Sequence, residues 1–216
     1  HRLWRSSPAS LAEAYGRRVE RWSVKPGWQT VKAGPLKGFE LYFEEPLGGG
    51  FHEMIEGTFD CFIHDELRRR IKLEDCVCWD IGGHFGYHSL ALAAQGARVT
   101  AFEPNRSNAE RFRKNREHNK NLAPAIELRD TALSDQVGEV TFVSSNDLSG
   151  TSSGSHLASA LPPEEAGIYS DFERVTVPTA KADDLIADGC EAPKVIKLDV
   201  EGAELLVLKG AAKLFK

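Results

Sequence analysis

An aspartate, three glycines and a histidine follow an apolar run in the segment DIGGHFG, which spans Asp80 to Gly86. Glycine at Gly82 and Gly86 lets a ligand approach the backbone, and a helix that begins here supplies N–H groups and a partial positive charge. A carboxylate or a phosphate suits such a site, and tight packing at a strand-to-helix turn is the alternative. Because the spacing lacks G-x-G-x-x-G, the pattern favours a single nucleoside-bearing cofactor over NAD.

Two further acidic residues end predicted strands. Glu103 ends the second strand of the regular part of the chain, where α/β proteins place a carboxylate that accepts hydrogen bonds from both ribose hydroxyls. A surface glutamate before Pro104 is the alternative. Asp130 ends the third strand, where it could accept a hydrogen bond from an adenine amino group or could cap the next turn.

Two histidines and a lysine have more than one interpretation. His84 and His88 are four residues apart, a spacing that allows a metal site if the helix has begun, but a hydrogen-bonded or solvent-facing pair is favoured. Lys197 falls inside a predicted buried strand, so it needs a partner carboxylate or a route to solvent. The sequence does not choose between a structural and a substrate-adjacent role for it.

Strands and helices alternate from residue 76 onward. Strands are predicted at 76–81, 98–104, 125–130 and 194–199, and helices at 88–96, 106–119 and 201–215. Short connections between them predict right-handed βαβ units, a parallel sheet and an α/β fold. These elements place the acidic residues at the carboxyl ends of strands.

The remaining segments form an extension and an insertion. Residues 8–22 have helical spacing and 28–45 are predicted to form a β-hairpin, so residues 1–72 are expected to be an extension packed on a core of residues 73–216. Antiparallel strands are predicted on either side of a Ser/Gly-rich stretch within 139–177. That stretch, 144–168, is either filler or a lid over the site.

Composition narrows the class of protein. The 216 residues carry a formal net charge of −5, so the chain lacks a basic field for nucleic-acid phosphates or an anionic membrane. No stretch approaches the length of a membrane span and the first residues lack a signal-peptide core, so a cytoplasmic protein is predicted. The four cysteines form no CxxC pair, and reduced core thiols are expected rather than disulfides or zinc ligands.

Four motifs, in this order, resemble the FkbM-type family of S-adenosylmethionine-dependent methyltransferases: DIGGHFGYHS, AFEPNRSNAERFRKN, TALSDQVG and IKLDVEGAELLVLKG. The resemblance covers about residues 56–213 and implies a class I Rossmann-like sheet with helices on both faces. That fold has seven strands in the order 3-2-1-4-5-7-6, and this sequence stops after the helix that follows the fourth. The C-terminal strands are therefore expected to be missing. Either the chain is cut, or its C-terminal part is not included, or the N-terminal hairpin supports the sheet in an unusual way.

The resemblance also implies residue roles. The methionine end of the cofactor would contact Asp80, Gly82, Gly83 and Gly86, the ribose Glu103, and the adenine Asp130 and Ala132. Asp199, Glu201 and Glu204 would lie beside the transferable methyl group, although Glu204 could equally serve the positive end of a helix. The family commonly has Ala-Asn where this sequence has Gly83-His84, which puts an ionisable ring near the cofactor.

These roles imply O-methylation of a hydroxyl on a small molecule, a sugar or a natural product. A hydroxyl needs a base, and Asp199, Glu201 and His84 are the catalytic candidates. Asp199 and Glu201 could instead bind a divalent ion, which is possible but not predicted, and no metal ligands are assigned. The alternatives are an N-methyltransferase, or a cofactor-binding module of a larger biosynthetic protein that does no chemistry. A small-molecule or glycan acceptor is the expected partner.

Overall fold

The computed structural model describes residues 24–45, 47, 50–144, 156–157 and 173–216. The helix predicted at 8–22 and most of the proposed lid lie outside these residues. The chain divides into two compact units, residues 1–61 and 62–216, whereas the sequence places the boundary after residue 72.

The first unit contains a hairpin and a helix. Strands β1 (Gly27–Thr30) and β2 (Glu40–Phe43) pair antiparallel, with Trp28 opposite Tyr42. Helix α1 (Gly50–Glu56) buries Phe51, Met54 and Ile55. The helix ends before Gly57, which has a φ of 79° and whose Cβ position would lie 2.1 Å from the carbonyl oxygen of Ala33. Only glycine allows this close approach of two backbone segments.

A four-stranded parallel sheet forms the centre of the second unit. Its strands are β3 (Val77–Ile81), β4 (Arg98–Phe102), β5 (Ile126–Arg129) and β10 (Val195–Leu198), in the order β10-β3-β4-β5. All neighbouring pairs in this sheet are parallel. The predicted α/β class with a parallel central sheet is therefore confirmed.

Helices cover both faces of this sheet. Helix α2 (Cys61–Arg70) precedes β3, and α3 (Tyr87–Ala94) and α4 (Arg106–His118) connect β3, β4 and β5. On one face, Trp79 and Phe102 pack with residues of α5 (Ala182–Ala187) and α6 (Glu204–Gly210). On the other face, the buried Asp80 of β3 bonds with Ser89 of α3. Alternation along β3 thus gives one apolar face and one face that carries a carboxylate.

A second sheet follows β5 in the chain. It contains β6 (Ala132–Leu133), β7 (Gly138–Ser144), β8 (His156–Leu157) and β9 (Glu173–Ala180), in the order β6-β9-β7-β8. Strands β7 and β9 pair antiparallel from Gly138 opposite Thr179 to Ser144 opposite Glu173. These are the segments predicted to be antiparallel, and they belong to a sheet separate from the parallel one. Among the described helices, none is long and apolar enough to cross a membrane.

Candidate active site

Three acidic residues lie at the same edge of the parallel sheet. Asp80 is near the end of β3, Glu103 follows β4, and Asp199 follows β10. Because β10, β3 and β4 are neighbours and parallel, their carboxyl ends meet, which is where ligands bind in open α/β sheets. The structure therefore brings these three predicted site residues to one edge.

Asp80 is completely buried and bonds within the protein. Its Oδ2 accepts a hydrogen bond of 2.6 Å from the hydroxyl of Ser89, and its Oδ1 lies 3.1 Å from Nζ of Lys197, the residue opposite it on β10. A buried carboxylate requires such partners, since an unpaired one is strongly disfavoured. Lys197 thus has the partner carboxylate that its position in the sequence demands, whereas the role of Ser89 was not predicted from the sequence.

The glycines after β3 pack closely against other parts of the chain. A Cβ on Gly82 would lie 1.9 Å from the backbone oxygen of Asp199, and one on Gly86 would lie 2.5 Å from the ring of Phe112. Both have positive φ, 84° and 96°. Gly83 is also tight, at 3.0 Å from Phe112. Packing therefore accounts for these glycines, and their contact with a cofactor stays a prediction.

Glu103 is a buried carboxylate that follows β4. It is 5% exposed and accepts hydrogen bonds from the backbone N–H groups of His84 (2.7 Å) and Asn105 (2.9 Å). Burial raises its pKa to about 7, although these bonds, a bond from the Asn108 side chain and the charge of Lys197 act to lower it. Asn105 also caps α4 through its side chain, a role that an Asn before a polar helix signals.

His84 occupies the turn between β3 and α3. Its φ of 51° lies in the left-handed region, where Asn and His are enriched among residues other than glycine. Burial lowers the pKa of its ring to about 4, and the positive charges of Arg111 and Lys197 act in the same direction. The ring is therefore neutral at neutral pH. Its backbone N–H bond to Glu103 links the glycine turn to the end of β4.

Asp199 has an accessible carboxylate. Its side chain is 67% exposed and its Oδ2 lies 3.7 Å from Nζ of Lys197, while its backbone N–H donates to the carbonyl of Ile81. Glu201 is exposed and has a φ of 49°. Glu204 begins α6 and accepts a hydrogen bond of 3.2 Å from the N–H of Gly202, consistent with the structural alternative for this residue. Asp199 is thus positioned by β10, with its carboxylate largely exposed to solvent.

The predicted adenine-binding residues differ in exposure. Asp130 is exposed and forms an ion pair with Arg113 of α4 through both carboxylate oxygens. This pair raises the pKa of Arg113, and an exposed pair contributes little to stability. Ala132 is buried at the start of β6. Whether either residue contacts adenine stays a prediction.

His88 bonds with a second histidine, one that lies in a different helix. Its Nδ1 lies 3.3 Å from Nε2 of the buried His64 on α2, and the two rings stack. Gln95 donates to the backbone oxygen of Ala91, and its amide nitrogen lies 3.2 Å from Nδ1 of His64. The contact between His88 and His64 was not predicted from the sequence. Within the described residues, no cluster of three or more His, Cys, Asp and Glu side chains could hold a metal.

The stability of the protein should fall as the pH is lowered, through titration of His64. Burial, followed by the charges of His88 and Arg68, lowers its pKa from 6.5 to about 4. The unfolded chain therefore binds more protons between these values, so the stabilisation is complete above pH 6.5 and is lost as the pH falls towards 4. We expect His64→Gln to remove roughly 3 kcal/mol of this pH dependence, measured by urea unfolding across that range.

The difference between wild type and variant isolates His64. The lowered pKa of His84 also makes the protein less stable as the pH falls. The raised pKa of Glu103 has the opposite effect, because this residue stabilises the fold most at low pH. Both remain in the variant, so their contributions cancel in the difference. His118→Gln, on the exposed face of α4, is the control. A difference between wild type and His64→Gln that stays constant with pH contradicts this assignment.

The arrangement defines the class of protein. It is an α/β domain with a parallel sheet, in which a glycine turn follows one strand and a buried acid follows the next, and ligands of such sheets bind at the carboxyl ends of the strands. The chain belongs to the family described as the methyltransferase FkbM domain, whose model matches residues 80–216. All three acidic residues at the sheet edge lie within the matched range.

Proteins similar to this chain include one curated protein and one solved structure. The hexuronic acid methyltransferase AglP of Haloferax volcanii is 36% identical over 141 residues, which are 63% of this chain and 50% of AglP. The chain thus spans about half the length of this curated relative. A solved structure, the putative methyltransferase yhhF from Escherichia coli, is 17% identical to this chain. The match covers 49% of this chain and 53% of the yhhF chain, with a TM-score of 0.36.

Proposed function

We propose that this chain is an S-adenosylmethionine-dependent methyltransferase that methylates a hydroxyl group of a sugar, with a uronic acid as the first candidate. The observation that carries this proposal is the joint placement of a buried carboxylate, Glu103, and an open carboxylate, Asp199, at one sheet edge. Family membership and the name of the Haloferax relative support the reaction and the acceptor class. The strands β5, β4, β3 and β10 also lie in the order 3-2-1-4 of a class I methyltransferase sheet.

The residues at the edge suit S-adenosylmethionine, which supplies a methyl group on a positively charged sulfur. Glu103 is an acceptor in a buried place, and ribose hydroxyls are donors. The turn at Gly82 to Gly86, with Gly83 between, would lie along the methionine end. Asp130 and Ala132 would lie towards the adenine.

Asp199 would remove a proton from the acceptor. S-adenosylmethionine would supply the methyl group, and its sulfur would keep the electrons of the carbon–sulfur bond when the acceptor oxygen takes the methyl. The carboxylate of Asp199 would receive the hydroxyl proton and later release it to water. Glu201, which follows Asp199 closely in the chain, and His84, which lies on the glycine turn and is neutral at neutral pH, would contact the acceptor rather than serve as the main base.

Cofactor binding should depend on the protonation of Glu103. Because its pKa is about 7, protonation below that value removes part of its capacity to accept hydrogen bonds from ribose. We expect S-adenosylhomocysteine to bind more weakly one pH unit below 7 than one unit above. Glu103→Gln should weaken binding by about 1 to 3 kcal/mol and abolish the pH difference, measured by calorimetry.

The neighbouring strand offers a matched control. Glu127 on β5 is exposed and pairs with Arg129, so Glu127→Gln should bind like the wild type. Equal affinity of wild type and Glu103→Gln at both pH values overturns the ribose assignment.

The acceptor is tested by a methyl-transfer assay on matched sugars. Wild-type protein and S-adenosylmethionine are incubated with methyl glucuronoside, methyl galacturonoside, methyl glucoside and the amine-bearing methyl glucosaminide, and the methylated position of each product is located by mass spectrometry. We expect an ether on a ring hydroxyl of a uronic acid. A methyl ester on the carboxylate instead corrects the acceptor group, and transfer to amines alone overturns the proposal in favour of N-methylation.

A further inference from the structure

Lys197 joins three parts of the sheet edge. Its Nζ donates a hydrogen bond of 2.6 Å to the carbonyl oxygen of Gly82, lies 3.1 Å from Oδ1 of Asp80, and lies 3.7 Å from Oδ2 of Asp199. These three oxygen atoms belong to the glycine turn, to β3 and to the segment after β10. The lysine side chain is 21% exposed, so the contacts form in a largely enclosed place.

The ammonium group is held in its charged form. Burial acts to lower the pKa of Lys197, but the charges of Asp80, Asp199 and Glu103 and the hydrogen bond to Asp80 raise it, so its pKa lies above the ordinary value. A charged ammonium has three N–H donors and no lone pair, so it cannot remove a proton from an acceptor. Lys197 is therefore a donor towards its neighbours and not the base of the reaction.

We propose that Lys197 is a positioning residue for methyl transfer, which fixes the carboxylate of Asp199 relative to the glycine turn. This proposal rests on the function proposed above. The Asp199 side chain is mostly exposed, and the ammonium restricts the directions in which its carboxylate points. The same ammonium group donates a hydrogen bond to the Gly82 carbonyl, so one side chain positions both the proposed base and the glycine turn. Such fixed geometry is what an in-line displacement requires.

The effect on the turn is measurable without any ligand. We expect Lys197→Met to speed amide hydrogen exchange in residues 82–86 by about 10-fold, since a hydrogen bond from a charged donor is lost. Lys194→Met, at an exposed position just before β10, is the control and should leave exchange unchanged. Equal exchange in wild type and Lys197→Met overturns the positioning of the turn.

A second variant guards against misfolding. Removal of Lys197 alone leaves the buried Asp80 without its counter-charge, which is strongly destabilising. The pair Asp80→Asn with Lys197→Met removes both charges, and it is compared with Asp80→Asn alone. Faster exchange in residues 82–86 of the pair supports the proposal, and equal exchange in the two proteins overturns it.

A double-mutant cycle tests the action through Asp199. We expect Lys197→Met to lower kcat by about 10- to 100-fold on the uronic acid acceptor, because the positive charge that orients the Asp199 carboxylate is lost and a misplaced catalytic group reacts more slowly. In the Asp199→Asn background the same change should have little further effect, since the base that it positions is gone. Losses that multiply in the double mutant overturn the positioning of Asp199, because a purely structural lysine acts independently of that residue.

The two proposals fail in different ways. A wild type that neither binds S-adenosylhomocysteine nor transfers methyl groups contradicts the proposed function. The exchange experiment needs no cofactor, so it still decides whether Lys197 holds the glycine turn. An active wild type with unchanged exchange and multiplicative kinetics overturns the role of Lys197 alone.

Discussion

Asp199→Asn should lower kcat by about 10²- to 10⁴-fold, the usual cost of losing a general base. The amide keeps the size of the carboxylate but cannot take a proton from an acceptor hydroxyl. Since the side chain is 67% exposed, the substitution does not bury an unpaired polar group and should not destabilise the fold. We therefore expect the affinity for S-adenosylhomocysteine and the unfolding midpoint to stay close to those of the wild type. Steady-state kinetics, calorimetry and thermal unfolding measure the three quantities.

The control is another exposed aspartate of the same unit. Asp188 lies after α5, and Asp188→Asn should leave kcat unchanged. An Asp199→Asn protein with wild-type kcat refutes the role of base. Parallel losses of stability, affinity and turnover would show a structural aspartate instead. If the assay shows esterification of a uronic acid carboxylate, no proton needs removal and the effect on kcat should be small.

Gly82→Ala should lower the free energy of unfolding by about 2 to 4 kcal/mol, the sum of left-handed backbone strain and overpacking. Its φ is 84°, and the added Cβ would lie 1.9 Å from the backbone oxygen of Asp199. Backbone atoms cannot rotate away as a flexible side chain can, so the turn and the end of β10 must separate. Urea unfolding with an unchanged m-value measures the loss, and affinity for S-adenosylhomocysteine should fall with it.

A glycine in open space isolates the steric part. Gly189 has a φ of 98° with no atom within 4 Å of its Cβ position. Gly189→Ala should therefore show only the backbone cost, about 1 to 2 kcal/mol. The difference between the two variants reports the contact with Asp199. If both lose the same stability, the turn is not packed against β10 as the structure shows.

The parallel sheet of the second unit could be predicted from the sequence. Short apolar runs that alternate with helical segments encode strands and helices locally, and a helix between successive strands makes those strands parallel. The ends of those strands are visible in the sequence, so local pattern was enough to place Glu103 and Asp199 at the carboxyl ends of parallel strands. The confirmed α/β class and parallel sheet follow from the same local information, and family membership follows from the motifs.

For some residues of the candidate site, the sequence predicted that a partner is needed but did not identify the partner. The position of Lys197 in a buried strand demanded a partner carboxylate, but the sequence did not say which one. The strand register supplies the answer, because β10 pairs with β3 so that Lys197 lies opposite Asp80. Spacing of four likewise suggested that His84 and His88 act as a pair, whereas His88 bonds with His64 from a different helix.

Only the tertiary structure decided the contacts and the electrostatics of the edge. The hydrogen bond from Lys197 to Gly82 joins residues 115 positions apart, and no local pattern encodes such a distance. The raised pKa of Glu103 depends on its burial by surrounding elements, and the need for glycine at position 82 depends on where the backbone of Asp199 passes. The periodicity of apolar residues predicts which side of a helix or strand faces the core. The pKa of a side chain and the close approach of two backbone segments depend instead on which other parts of the chain pack against it.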